Sequence, residues 1–197
     1  MIKETIKIAL DGPSGSGKST LAKNLAKLYG YVYIDTGALY RTIGLFVSRK
    51  GIASDDKAAI ISVLPEIHIE MRLENGGGVV YLGGERIGDE IRTPVCSKYA
   101  SDVSKIPEVR AFLLETQRSI ARENNVIMDG RDIGTVILPD AQVKIFITAS
   151  PEARAKRRYA ELCQRGVETT YEEVLSEMKW RDENDSNRDI APAVPAP

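Results

Sequence analysis

A chain of 197 residues with 43% hydrophobic content has the length of one globular domain with room for an insertion, and can bury a full core without disulfide staples. Its 27 Lys+Arg against 28 Asp+Glu give a formal charge of -1, which lacks the basic excess of a polyanion binder and argues against nucleic acid as the main partner. Cys96 and Cys163 belong to no Cys/His cluster, His68 is the only histidine, and no apolar run approaches the ~18 residues of a membrane span, so zinc sites, His-based triads and membrane insertion lack support and a cytoplasmic protein is expected.

Residues 6–10 are apolar and β-branched, the pattern of a strand buried on both faces. A glycine-rich turn follows at once. From Lys18 to Tyr29, Leu21, Leu25 and Leu28 recur at helical spacing, with Gly30 placed to stop the helix. YVYID at 31–35 is a second short strand, and Thr36 is the expected N-cap of a helix running to about Lys50. A short helix near 56–64 precedes a change of texture: IHIEMRL alternates strictly, NGGG turns, and VVYLGG returns. That antiparallel hairpin, with His68 facing solvent, marks an inserted subdomain at about 64–92. Pro107 opens a long helix whose face is Val109, Phe112, Leu113, Thr116 and Ile120, which on periodicity alone leaves Arg110 as surface charge. VIMDGRD and VKIFITAS supply two more strands with polar ends, where ligands of an open parallel sheet gather. Pro151 starts a helix that Gly166 stops, Thr170 and Glu173 form a capping box for another, and APAVPAP ends the chain without an element.

The turn LDGPSGSGKST satisfies GxxxxGK[ST] at Gly12, Gly17, Lys18 and Ser19. In such a loop, residues equivalent to Pro13, Ser14, Gly15, Ser16 and Thr20 wrap phosphates, the lysine reaches their outer oxygens, and the serine ligates magnesium. Asp129, ending VIMD, fits a carboxylate that holds magnesium through water, with a turn role as the alternative. A phosphate loop leaves the reaction open among a GTPase switch, an ATPase motor and a small kinase. The guanine-reading NKxD and the LSGGQ of transport ATPases are both absent. Arginines at strand ends and in two late helices suit a second phosphorylated molecule, because transfer between two polyanions needs fixed cations that bind oxygens in pairs.

DGPSGSGKST, DTGALYR, EIRT, DGRDIGT with PDAQVKIF, and RDENDSNR together resemble the bacterial cytidylate kinases, nucleoside monophosphate kinases of the P-loop class, from about Ile6 to Pro195. The resemblance implies transfer from ATP, with magnesium, to CMP or dCMP by a monomer. It also implies a three-layer α/β/α fold with parallel strand order 2-3-1-4. The family's usual further strand and C-terminal helix have no counterpart before Pro197, which leaves VKIFI as an expected open sheet edge. By resemblance, Asp35 and Thr36 begin the acceptor site, Thr36 standing where many members have serine. Arg41 and Arg131 clamp the acceptor phosphate, Ser101 and Arg110 read the cytosine, and Asp132 and Asp185 lie near the sugar and the second group of arginines. Arg181 and Arg188 reach the acceptor and the transferring phosphoryl. Arg154, Arg157 and Arg158 fall in a mobile lid over ATP at about 151–168, Arg158 among the catalytic set with Lys18, Arg131 and Arg181; the solvated face of an amphipathic helix is the lesser alternative for the three on periodicity alone. Uracil would present O4 where cytosine offers its amine, so discrimination against UMP is expected to be substantial but incomplete. The alternatives are a kinase for UMP, AMP or a sugar acid, and a non-catalytic nucleotide-binding switch.

Overall fold

Strand β1 (Lys7–Asp11) is apolar on both faces and sits inside the sheet, paired in parallel with β6 (Val126–Gly130) and β7 (Val143–Phe146). The computed structural model describes residues 5–197. Beyond β6 lies β2 (Val32–Asp35), also parallel, so the four parallel strands run in the expected order 2-3-1-4. The register aligns Asp11 with Gly130 and Asp35 with Asp129, bringing the carboxyl ends of three strands level. Leu10, Ile34, Ile127 and Met128 are fully buried between the helical layers. Burial of each such side chain contributes about 1.5–3 kcal/mol.

Helix α1 (Lys18–Tyr29) follows the glycine turn and α2 (Thr36–Arg49) follows β2. α1 ends at Gly30 as expected, but it buries a different face: Ala22 and Ala26 pack on the sheet while Leu21 and Leu28 are exposed. Alanine permits close approach to the strands, and of the three leucines only Leu25 packs against this core. The cap of α2 also shifts by one residue, since Asp35, not Thr36, accepts the capping bond from the Ala38 N–H.

After α3 (Lys57–Val63), strands β3 (Ile69–Glu74) and β4 (Gly77–Leu82) form the hairpin, turning at Asn75–Gly76, with a two-residue β5 (Glu85–Arg86) beyond. His68 precedes β3 and is exposed, as its pattern suggested. β4 joins β2 through a single bridge, Tyr33 to Gly77, which continues the main sheet into the hairpin. Helix α4 (Pro94–Val103), capped by Thr93, was not legible in the sequence; it packs on α2 and, with α5 (Pro107–Glu123), encloses one core that includes Leu39, Ile43, Val80, Ile91 and Leu113.

β6 leads into a wide helical turn at Ile133–Ile137. Helices α6 (Pro151–Gln164) and α7 (Tyr171–Ser186) form an antiparallel pair closed on Ala155, Leu162, Val174 and Met178, and the capping box at Thr170 and Glu173 is present. Among the described residues β7 pairs only with β1, leaving Val143 and Ile145 partly exposed at the sheet edge. No helix of the described residues is long and apolar enough to cross a membrane.

Candidate active site

The glycine turn between β1 and α1 is held tightly. A Cβ on Gly12, where φ is 144°, would lie 2.0 Å from the Ile147 carbonyl oxygen, so only glycine fits. Gly17 is the N-cap of α1 in the left-handed region and offers no side chain to the first amides. Those N–H groups therefore remain available to an anion, with the positive end of the helix dipole behind them. Lys18 is buried and donates to the Pro13 carbonyl at 3.2 Å. Burial, reinforced by the nearby Arg131 charge, lowers its pKa to about 7, a cation poised to gain an anionic partner.

Ser19 donates to Asp129 Oδ2, and the Tyr33 hydroxyl donates to Oδ1 of the same carboxylate at 3.2 Å. Burial and the nearby Asp35 raise the Asp129 pKa. One hydroxyl and one carboxylate are hard oxygen donors. Among the described residues no group of three or more His, Cys, Asp or Glu side chains could hold a metal. A magnesium ion here would complete its shell with water and phosphate oxygens, which is the way that ion is usually bound beside a nucleotide.

A second set of groups lies beyond Lys18. Asp35 caps α2 with one carboxylate oxygen and accepts from Arg41 Nη2 at 2.7 Å with the other. Burial pushes Asp35 up, but Arg41, Arg92 and Lys18 outweigh it and hold the carboxyl below its ordinary value. Thr36 is buried and its hydroxyl donates to the Asp129 carbonyl at 2.8 Å, which fixes the end of β6 and leaves the hydroxyl oxygen as an acceptor only. Arg110 is not surface charge: it is 7% exposed, pairs with Asp132, and lies with its guanidinium carbon 5.6 Å from the Tyr40 ring centroid. Asp132, two residues beyond β6, supplies the counter-charge that holds this residue inward. Arg188 approaches the other Asp132 oxygen at 3.5 Å and donates to Ser104 Oγ at 3.1 Å. Arg131 Nε donates to Asp185, which also accepts from Ser101 at 3.5 Å.

The three arginines of α6 part company. Arg154 is 2% exposed, paired with Asp182 of α7 and donating to the Ala149 and Ser14 carbonyls at 2.8 and 3.0 Å. It is a strut between α6, α7 and the phosphate loop, not the solvated charge that periodicity allows. Arg157 is exposed and Arg158, loosely paired with Glu161 at 3.3 Å, is half-buried; both line the phosphate-loop cleft.

Two cavities result. A cleft of about 540 Å³ runs from Gly15, Gly17, Lys18 and Ser19 to Arg157, Arg158 and Arg165. A smaller one of about 170 Å³ is lined by Asp35, Tyr40, Ser101, Arg110, Asp132 and Asp185, among others. They share the walls formed by Ser14, Gly15, Lys18, Ser19, Arg41, Arg92 and Arg181. Burial next to Arg131 lowers the Arg181 pKa to about 10. The Nε atoms of Arg41 and Arg181 are buried without hydrogen-bond partners, two donors suited to added acceptor oxygens. Arg92, within EIRT, is not legible as a site residue, because an arginine near two acidic residues reads as a solvated loop; its Nε indeed meets Asp89 at 3.2 Å. Tyr33 and Tyr40 were missed because their aromatic rings read as core.

A phosphate loop at a parallel sheet, opening into a cation-lined junction with a second polar pocket, defines a P-loop nucleotide-binding α/β protein. The family model for cytidylate kinase matches residues 8–197. Proteins named cytidylate kinase from Caldanaerobacter subterraneus subsp. tengcongensis and Caldicellulosiruptor saccharolyticus are 55% identical over 192 residues and 52% identical over 187 residues. The matches cover 98% and 95% of this chain and 84% and 83% of those proteins. A third, from Caldicellulosiruptor bescii, is 50% identical over 187 residues, covering 95% of this chain and 83% of its own. The chain belongs to the cytidylate kinase family.

Proposed function

We propose that the chain transfers the γ-phosphoryl group of ATP to CMP or dCMP, giving ADP and CDP or dCDP, with the larger cleft holding ATP and the smaller the acceptor. The observation that carries this reading is the shared wall: Lys18, Arg41, Arg92 and Arg181 border both cavities, where a phosphoryl group would pass. The acceptor phosphate oxygen attacks the γ-phosphorus in line, the bond from that phosphorus to the β–γ bridging oxygen breaks, and ADP leaves with the electron pair. No covalent enzyme intermediate is needed, so positioning and charge supply the catalysis.

In this reading the N–H groups of Gly12 and of Ser14 to Thr20, with Lys18, grip the ATP phosphates, Pro13 shapes the turn, Arg157 and Arg158 cover the phosphates, and Arg154 supports the loop from behind. Ser19 and, through water, Asp129 would hold magnesium, which when bound spreads the charge of the β and γ phosphates. Arg41, Arg131 and Arg188 bind the acceptor phosphate while Arg181 spans the junction. Asp35, Asp132 and Asp185 anchor these arginines and the sugar, and Ser101 with Arg110 meets the ring acceptors of cytosine. Closure of α6 and of the hairpin insertion would exclude water, the competing acceptor. All these groups come from one chain, which suits a monomer, and both substrates are cytoplasmic solutes.

A panel of nucleoside monophosphates and sugar acids, assayed with magnesium and ATP by coupled ADP release, tests the acceptor. CMP and dCMP should give the highest kcat/KM, with UMP lower but measurable. Preference for AMP or a sugar acid would reassign the pocket.

A further inference from the structure

We infer that Asp11 is a positioning residue that joins the donor half of the site to the acceptor half, an inference that rests on the two-pocket reading above. Asp11 ends β1 and directly precedes Gly12 of the phosphate loop. Its side chain is buried and lies outside the walls of both cavities. One carboxylate oxygen accepts the Ile133 N–H at 2.8 Å and the other accepts the Gly134 N–H at 2.8 Å. Those amides open the helical turn that follows Arg131 and Asp132. The two loops carrying the site are therefore pinned together by one side chain across more than 120 residues of sequence.

The need for this pin comes from the chemistry of Asp132. As the residue before the turn, Asp132 is placed to cap its first amides, yet it makes no capping bond, because its carboxylate is committed to Arg110 and Arg188. Buried amides left without an acceptor would lose their hydrogen bonds to water with nothing in exchange. Asp11 caps the turn from another strand and so releases Asp132 for the acceptor pocket. Arg131 and Asp132 then stand between two fixed points: Gly130, paired with Asp11 in the sheet, and the clamped amides of Ile133 and Gly134. The direction of the Arg131 guanidinium relative to the phosphate loop is set by that span. Asparagine at position 11 would keep one acceptor and turn an NH2 toward the other amide; alanine would remove both acceptors.

The test compares the full chain with Asp11→Asn and Asp11→Ala. Thermal midpoint, equilibrium affinity for ATP alone and for CMP alone, and steady-state kcat and KM are measured at a temperature where each protein is folded. Positioning predicts that Asp11→Asn binds each substrate within about threefold of the parent while kcat falls roughly 10- to 100-fold, since a displacement near 1 Å is felt mainly in the transition state. A lowered midpoint with unchanged kcat and KM would overturn the inference and leave Asp11 purely structural. Loss of ATP affinity in step with kcat would overturn it too, by placing the effect in the phosphate loop alone. If Asp11→Ala does not fold, the near-isosteric Asn variant decides. A parent chain that phosphorylates no acceptor rejects the kinase reading, whereas an active parent matched by its Asn variant rejects only the role of Asp11.

Discussion

Arg131 Nε lies 2.9 Å from Asp185 Oδ2, tying the turn after β6 to α7 across the acceptor pocket. The guanidinium is thereby oriented before any substrate arrives, with Gly130 O, at 3.3 Å, as a second partner among the described residues. Preorganised charge of this kind stabilises a transition state without reorganising when the reaction occurs. Arg131→Ala should lose about 3 kcal/mol or more of transition-state stabilisation, read from kcat/KM, while circular dichroism shows the fold retained.

Asp185 links stability to pH. Burial pushes its pKa up, but Arg131, Arg181 and Arg188 outweigh burial and hold it below the ordinary aspartate value of 3.8. Its contribution is therefore fully present above that value and is lost as pH falls through the lower folded value. Asp185→Asn should cost about 3 kcal/mol in urea unfolding at pH 7, the scale for breaking a buried pair, and the gap from the parent should narrow below pH 3.8. Asp11, Asp129 and Asp132 are shifted upward by burial and act in the opposite sense, so the difference between variant and parent is the quantity to follow.

Arg154 should behave as a strut. Arg154→Lys keeps the charge but loses the planar fork that reaches Asp182 and the Ser14 carbonyl together. Loss of about 2–4 kcal/mol of stability is expected, with the ATP KM raised through the loosened phosphate loop. Arg157→Ala, at an exposed side chain, should instead leave the unfolding midpoint nearly unchanged while weakening ATP.

Thr36 divides the acceptor-site expectations. Because serine keeps the hydroxyl that donates to the Asp129 carbonyl, Thr36→Ser should change stability by less than about 1 kcal/mol and barely alter the CMP KM. Thr36→Val leaves that carbonyl short of a buried donor and should cost about 1–3 kcal/mol. A large CMP KM effect in Thr36→Val, measured where that variant is folded, would place the hydroxyl in direct substrate contact.

The parallel strands, the phosphate loop and the hairpin were legible because each is written locally, in β-branched runs, glycine spacing or strict alternation. What escaped depends on partners distant in sequence. Leu21 and Leu28 gave the period of α1 but not its face, because small Ala22 and Ala26 admit the sheet more closely than leucine would. Asp35 took the cap from Thr36 once Arg41 and the Ala38 amide converged on one carboxylate. Helix α4 has Pro94 at its start but an apolar stripe interrupted by Ser97, Lys98 and Ser101, so its burial against α2 appears only in three dimensions. Periodicity alone favours surface charge for Arg110 and allows it for Arg154, because their counter-ions, Asp132 and Asp182, are distant in sequence. The site motifs were recognisable as a set; that Lys18, Arg41, Arg92 and Arg181 border both cavities became visible only in the fold.

The central claim is that the two cavities hold a phosphoryl donor and its acceptor. ADP release by the full chain, measured with magnesium and ATP in the presence and absence of CMP, tests it most directly. The account predicts ADP formation that requires CMP or dCMP, matched by an equal amount of CDP or dCDP; equal ATP turnover with and without any acceptor would contradict it.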